Sequence, residues 1–194
     1  MRLSRDFFKR DTLTVARELI GCKLVHETPK GKISGIIVET EAYLGPADAA
    51  SHSYKGKTDR VRALYDDKGL AYIYLIYGMY NCFNISTGDS PAPECVLIRA
   101  LEPVPPYDLM IENRGTDKTY NLCSGPGKLC IAMKIDRTLY GTDLCSSSSP
   151  LYVEAFREYE TESSRRINVD YAGEAADYLY RFTAKGNRFL SKKL

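Results

Sequence analysis

The chain has 194 residues, 44% of them hydrophobic and 27% charged, and its formal net charge is +2. This length suits one domain with a sizeable core, and so small a net charge gives no global argument for nucleic-acid binding. Six cysteines without C-x-x-C spacing and only two histidines argue against a zinc site. With no signal peptide or long apolar run, we expect a cytosolic protein with reduced thiols and no membrane span.

The first elements in chain order are a helix and two strands. Asp11 can cap a helix over residues 11–21 that Gly21 closes. A strand over 22–27 and a T-P-K-G turn then lead into a second strand over 33–43.

The second strand ends in I-I-V-E-T-E-A-Y, residues 36–43. Alternation along a strand predicts one face made of Ile37, Glu39, Glu41 and Tyr43. The opposite face, which suits a core, holds Ile36, Val38, Thr40 and Ala42. Two interpretations stay open. The glutamates are solvated at a strand end, as Glu usually is, or they lie beside the tyrosine ring in a cleft.

Residues 44–67 form a long segment without periodicity, which is typical of a functional loop. Its basic cluster consists of Lys55, Lys57, Arg60 and Arg62, with one acid, Asp59, among them. The tail from 181 to 194 carries five basic residues and no acid. Both clusters predict either phosphate contacts or plain solvated surface. His52, in A-A-S-H-S, is expected to be a polar cap.

Residues 71–85 read A-Y-I-Y-L-I-Y-G-M-Y-N-C-F-N-I and predict a hairpin with its tip at 77–78. We expect Tyr72 and Tyr80 to pack against the sheet. Tyr77 has little core to fill at a turn, so it can stack on bases or wedge between base pairs. Asn84 either bonds to nearby backbone or reads a ligand.

The rest of the chain adds strands and helices. Residues 94–101 predict a buried strand in which Arg99 needs an anion, as a structural ion pair or in a site. Helices are expected over 107–112 and 125–133. Further strands are expected over 151–156, 167–171 and 178–183. The mixture predicts a single α+β domain over residues 1–194, built on a mainly antiparallel sheet.

Five segments together resemble the alkyladenine (3-methyladenine or methylpurine) DNA glycosylase family. They are V-E-T-E-A-Y-L-G-P (38–46), A-A-S-H-S (49–53), Y-I-Y-L-I-Y-G-M-Y (72–80), V-L-I-R-A-L-E-P (96–103) and L-C-S-G-P-G-K-L (122–129). The resemblance runs from about residue 13 to 182. It implies a curved, mainly antiparallel sheet with flanking helices and a protruding hairpin that inserts into DNA.

The resemblance also implies a monofunctional repair enzyme without cofactor or metal. Such an enzyme flips alkylated or deaminated purines out of double-stranded DNA and hydrolyses the N-glycosidic bond with activated water. The abasic site that remains is a substrate for base excision repair. The lesion is left open among 3-methyladenine, 7-methylguanine, hypoxanthine and ethenoadenine. A monomer located at the nucleoid, or in the nucleus of a eukaryote, is expected.

Family roles fall on particular residues of this chain. Glu41 matches the general base, and Arg99 matches an arginine near the water and the target phosphate. The pocket that sandwiches the flipped base corresponds to Tyr43, His52 and Tyr74. Tyr77 matches the side chain that fills the hole in the duplex, and Asn84 a position that helps to select purines. The resemblance would place contacts to the DNA backbone at Arg60, Arg62, Gly78 and Met79. The acidic Asp59 beside Arg60 makes phosphate contacts of the two arginines less favourable. Glu39 is expected to be structural, and a cation such as Arg99 could pair with it.

Two other classes of protein stay open on the residues alone. A hydrolase could use Glu39 and Glu41 together on a sugar or free nucleoside, since acids roughly 7 Å apart suit an inverting reaction. Alternatively, a non-catalytic module could bind distorted DNA through the hairpin. The first predicts that DNA is not required, and the second predicts lesion binding without base release.

Overall fold

The computed structural model describes residues 1–192, and one antiparallel sheet of eight strands organises them. The strands are β1 Lys23–Thr28, β2 Gly31–Tyr43, β3 Ala71–Ile76, β4 Tyr80–Thr87, β5 Glu94–Pro103, β6 Leu151–Glu154, β7 Thr161–Ser164 and β8 Arg181–Ala184. Their order is β3-β4-β5-β2-β1-β6, while β8 pairs with both β2 and β7. The flanking helices are α1 Arg5–Phe8, α2 Thr12–Glu18, α3 Asp108–Arg114 and α4 Pro126–Ala132. The predicted α+β fold on a mainly antiparallel sheet is confirmed.

Strand β2 is the centre of the sheet and changes partner along its length. Its first half pairs with β1 and its second half with β8, and β5 runs along the opposite edge. The pairing with β5 shifts register between Ile37 and Thr40, and such irregularities re-aim side chains. Ile37 therefore joins the core beside Val38 and Ala42, so the prediction that it shares a face with the glutamates is wrong.

Helix α2 packs against the sheet and is shorter than predicted. Asp11 caps it as expected, because its carboxylate accepts the Thr14 N–H at 2.8 Å. The helix ends before Gly21, which lies at φ 92° in the chain entering β1. The buried hydroxyl of Thr40 donates to the Ala16 carbonyl at 2.8 Å and so joins α2 to β2.

The hairpin of β3 and β4 has an exposed tip. Tyr77 and Gly78 both have positive φ, at 54° and 70°, and the Met79 N–H donates to the Ile76 carbonyl at 3.2 Å. Tyr77 is 77% exposed and Met79 66%. The predicted hairpin and the position of its tip are confirmed.

The last third of the chain departs most from the predictions. Residues 167–171 are not a strand, because Asn168 adopts φ 60° and the chain then enters a 3₁₀ segment over Asp170–Asp177. The strand in this region is β7, whose T-E-S-S sequence has no apolar alternation.

No helix within residues 1–192 is long and apolar enough to cross a membrane. Lys193 and Leu194 of the basic tail lie outside the described residues.

Candidate active site

A cavity of about 690 Å³ opens beside the hairpin, over strands β2 and β5. The loop after β2, the start of α4 and residues 167–169 supply its other walls. Six residues predicted from the sequence line it: Tyr43, His52, Tyr74, Tyr77, Asn84 and Arg99. Residues that lie up to 56 positions apart in the chain (from 43 to 99) thus converge on one space.

Glu41 does not line this cavity but lies directly behind its wall. Its side chain is fully buried, so the interpretation of a solvated glutamate is wrong. One carboxylate oxygen, Oε1, accepts the Ile167 N–H at 2.8 Å. The other, Oε2, accepts the Tyr43 hydroxyl at 2.7 Å and Arg99 Nη1 at 3.2 Å. Three donors that themselves line the cavity therefore fix the carboxylate.

Arg99 bridges the two glutamates of β2. Its Nε donates to Glu39 Oε1 at 3.2 Å while Nη1 reaches Glu41. Burial disfavours the charge of Arg99, but Glu41 and Glu39 more than offset this cost, so its pKa is raised. Arg99 also faces the cavity, so the structural ion pair and the site position, left open by the sequence, are both present.

Glu39 is the hub of a buried network, in which the pairing with Arg99 was expected from the sequence and the contacts with Arg181 and Ser191 were not. Its Oε1 accepts Arg181 Nε and the Ser191 hydroxyl, each at 2.8 Å, and its Oε2 accepts the Ser191 N–H at 2.6 Å. Arg181 is only 3% exposed, so this member of the basic tail is not free to meet a phosphate. Because Arg181 and Ser191 lie 142 and 152 residues from Glu39, no local pattern could indicate them.

Aromatic side chains, His52, Tyr72 and Tyr74 among them, form another wall of the cavity, which we call the aromatic wall. The ring of His52 packs edge-on to Tyr74 with 4.4 Å between centroids, and its Nδ1 is 2.9 Å from the Tyr72 hydroxyl. His52 is therefore bonded to a side chain rather than acting as a cap. Desolvation by the surrounding side chains, and then the charge of Arg60, lower the pKa of His52 to about 4. Tyr72 is buried as predicted, whereas Tyr80 is 42% exposed and lines the cavity, so its predicted packing is wrong.

Asn84 is buried at the base of the hairpin. Its Nδ2 donates to the carbonyls of Tyr72 at 3.1 Å and Cys82 at 3.4 Å. Its Oδ1 has only a 4.0 Å contact with the Cys95 thiol among the described residues. The expected bond to nearby backbone is thus confirmed, and the amide also lines the cavity.

A second cavity, of about 670 Å³, shares Tyr74 with the first. Besides Tyr74 its lining includes Asp59, Arg60, Arg62, Arg137 and Tyr140. The guanidinium of Arg60 lies 5.1 Å from the centre of the Tyr74 ring, and that of Arg62 lies 5.5 Å from the Tyr140 ring. Within residues 1–192, Asp59 forms no ion pair with any of these arginines. Gly78 and Met79 line neither cavity and lie at the exposed tip.

The profile of the family described as methylpurine-DNA glycosylase matches residues 6–188 of the chain. The chain therefore belongs to this family of DNA repair glycosylases, and DNA is the partner on which such enzymes act.

Bacterial relatives support the same assignment over the whole length. A protein of Alkaliphilus oremlandii is 44% identical, with all of both chains covered. Proteins of Desulfitobacterium hafniense and Clostridium novyi are each 45% identical, with 99% of both chains covered. All three carry names that provisionally assign them as 3-methyladenine DNA glycosylases.

Proposed function

We propose that the protein is a monofunctional glycosylase that flips alkylated or deaminated purines out of double-stranded DNA. It hydrolyses the N-glycosidic bond with activated water and leaves an abasic site for base excision repair. The substrate class comprises 3-methyladenine, 7-methylguanine, hypoxanthine and ethenoadenine. The observation that supports this proposal best is the buried Glu41 carboxylate, held by three donors behind an aromatic cavity.

Recognition begins with extrusion of the damaged base, because a base within the duplex is unreachable. Tyr77, exposed at the hairpin tip, fills the hole that the base leaves. Tyr43, Tyr74 and His52 give the base new stacking surfaces inside the cavity. A positively charged alkylpurine gains a cation–π contribution there. His52 is neutral at physiological pH and does not repel it.

Cleavage develops positive charge on the sugar, by analogy with glycoside hydrolysis. An anionic Glu41 stabilises this charge and accepts a proton from the attacking water. Water reaches the carboxylate when the Tyr43 hydroxyl or Arg99 gives up its hydrogen bond, since both face the cavity. Such rearrangement between free enzyme and complex is common at catalytic hydrogen bonds. Asn84 contributes to purine selection through its amide.

Contacts to the DNA backbone are assigned to Arg60 and Arg62 of the second cavity and to Gly78 and Met79 at the tip. Arg137 lines the same cavity and joins this group. Aromatic support holds the guanidiniums of Arg60 and Arg62 in place, which favours phosphate binding. The enzyme is proposed to act as a monomer at the nucleoid.

Base release from defined duplexes tests the proposal. A duplex with one hypoxanthine or ethenoadenine, and a second, methylated duplex, are incubated with wild type, Glu41→Gln or Tyr77→Ala and then treated with alkali. Wild type should give strand breaks only after alkali, and Glu41→Gln should lower the rate by about 10²–10⁴-fold. Tight lesion binding without any release would instead favour the binding module. Equal hydrolysis of a free nucleoside would favour the paired-acid hydrolase.

A further inference from the structure

A second buried ion pair lies outside the network around Glu39. Both side chains of Asp48 and Arg166 are completely buried. Arg166 Nη2 donates to Asp48 Oδ1 at 2.9 Å, and Nη1 donates to Oδ2, so the contact is bidentate. The carboxylate also accepts the backbone N–H groups of Leu44, at 3.2 Å, and Ala50, at 3.0 Å. Asp48 is thereby fixed in the loop after β2.

The remaining hydrogens of the terminal nitrogens of Arg166 bind backbone carbonyls in two further segments. Nη1 donates to Ala42 of β2 and Nη2 to Ala175 of the 3₁₀ segment, each at 2.9 Å. The guanidinium carbon also lies 4.8 Å from the centre of the Tyr43 ring. One side chain therefore joins the end of β2, the loop that follows it and the segment that follows β7.

Two of these segments carry partners of Glu41, whereas its third partner, Arg99, lies on β5. The residue after Arg166 is Ile167, whose N–H donates to Glu41 Oε1, and the supported Tyr43 ring carries the hydroxyl on Oε2. Stability alone is a weak reason for this ion pair, because replacing buried pairs with apolar side chains is often neutral or stabilising. A role in placing the donors of Glu41 explains the pair better.

We propose that Asp48 and Arg166 are positioning residues for Glu41. They hold the Ile167 N–H on the carboxylate and support the Tyr43 ring from behind. The catalytic consequence rests on the proposed role of Glu41 as the base, whereas the positioning of Ile167 does not. Because neither Asp48 nor Arg166 lines the cavity, their loss should slow bond cleavage and leave lesion binding largely unchanged.

Two conservative variants test this, since Arg166→Ala would leave a buried unpaired carboxylate and risks unfolding the chain. Asp48→Asn keeps the shape of the side chain and removes its charge. Arg166→Lys keeps a cation and removes the bidentate fork. Glu154→Gln is the matched control, because it breaks the partly buried pair with Lys23 between β1 and β6, away from the cavity.

The readouts are hydrogen exchange of the Ile167 amide, the single-turnover rate and the Kd for lesion DNA. We expect Asp48→Asn to expose the Ile167 amide to exchange and to lower the single-turnover rate by roughly 100-fold, as a misplaced catalytic group does. Arg166→Lys should fall between this variant and wild type. Glu154→Gln should change neither the amide nor the rate.

A folded Asp48→Asn with a protected Ile167 amide and an unchanged rate would overturn the proposal. So would a rate that falls only in proportion to lost stability, equally in Glu154→Gln. If wild type itself releases no base, the proposed function fails, and the exchange of the Ile167 amide still decides whether the ion pair positions that residue.

Discussion

Two regions of the molecule are built in opposite ways. We call the network of Glu39, Glu41, Arg99 and Arg181 the charged floor, and residues 77–79 the hairpin tip. The floor is at most 8% exposed, and its carboxylates each accept at least three hydrogen bonds. At the tip, Tyr77 and Met79 expose most of their surface, and neither side chain makes a hydrogen bond within the described residues.

The difference separates positions fixed by the fold from positions left for a partner. Charges in the floor carry a desolvation cost that their geometry must offset, so losing one partner leaves an uncompensated charge. Apolar surface at the tip gains nothing from the fold and would be stabilised by burial against another molecule. Apart from Glu41 and Arg99, which the proposed mechanism uses, mutations in the floor should therefore act mainly on stability, and those in the tip mainly on binding.

The largest expected effect on stability is that of Arg181→Met in the floor. The variant leaves one excess negative charge beside Glu39, so we expect the free energy of unfolding to fall by about 3–5 kcal/mol. Urea unfolding followed by circular dichroism measures it. The control is Lys185→Gln, which breaks an exposed pair with Glu160 just beyond β8 and should change stability little. Equal effects of the two variants on the free energy of unfolding would show that losing a partner in the buried floor costs no more than losing one at the surface.

Tyr77→Ala tests the hairpin tip, the second of the two regions. Its ring contacts solvent, so the free energy of unfolding should stay within about 0.5 kcal/mol of wild type. Affinity for a lesion duplex should weaken by about 1–3 kcal/mol, the contribution of one aromatic–base stack. Fluorescence anisotropy and urea unfolding measure the two quantities. Tyr120→Ala removes another exposed tyrosine, which lines neither cavity, and this control should change neither the stability nor the affinity. A large loss of stability in Tyr77→Ala would contradict the view that the tip serves binding rather than the fold.

The tip could be predicted from the sequence, and most of the floor could not. Alternating apolar residues around Tyr77–Gly78 give a hairpin and its turn from local chemistry alone. Glu39, Glu41 and Arg99 stand out as charges inside apolar strands. Arg181 lies in a basic tail whose sequence is typical of solvated surface. Asp48 and Arg166 lie 118 residues apart in the chain. Such pairs become visible only when tertiary structure brings distant segments together.

The erroneous strand over 167–171 has a physical cause. Its I-N-V-D-Y pattern alternates like a strand, but Val169 packs in a small cluster with Ala50, Ala172 and Ala175. Ile167 faces the cavity instead of a sheet partner, and Asn168 takes a left-handed conformation that interrupts an extended run. The real strand, β7, is polar because it pairs only with β8 at the margin of the sheet.

Gly78→Ala tests how much the tip depends on backbone freedom. Nothing lies within 4 Å of an added Cβ, so the cost comes from φ +70° alone. We expect a loss of about 1 kcal/mol in the free energy of unfolding. Gly78→Asn should cost less, because asparagine tolerates this conformation better than alanine. Equal unfolding midpoints for wild type and the alanine variant would indicate that the turn relaxes to another geometry.

A dependence on pH is also expected at the aromatic wall. With a pKa lowered from 6.5 to about 4, the folded His52 stays neutral while the unfolded residue binds a proton. The contribution of His52 to stability is therefore constant above 6.5 and is lost as the pH falls towards 4. Titration of the two histidines by NMR measures this, with His52→Gln identifying the resonance and removing its share of the pH dependence. An inflection of His52 near 6.5 would mean that the aromatic wall gains a charge at mildly acidic pH, and it would contradict a neutral His52 in the folded protein.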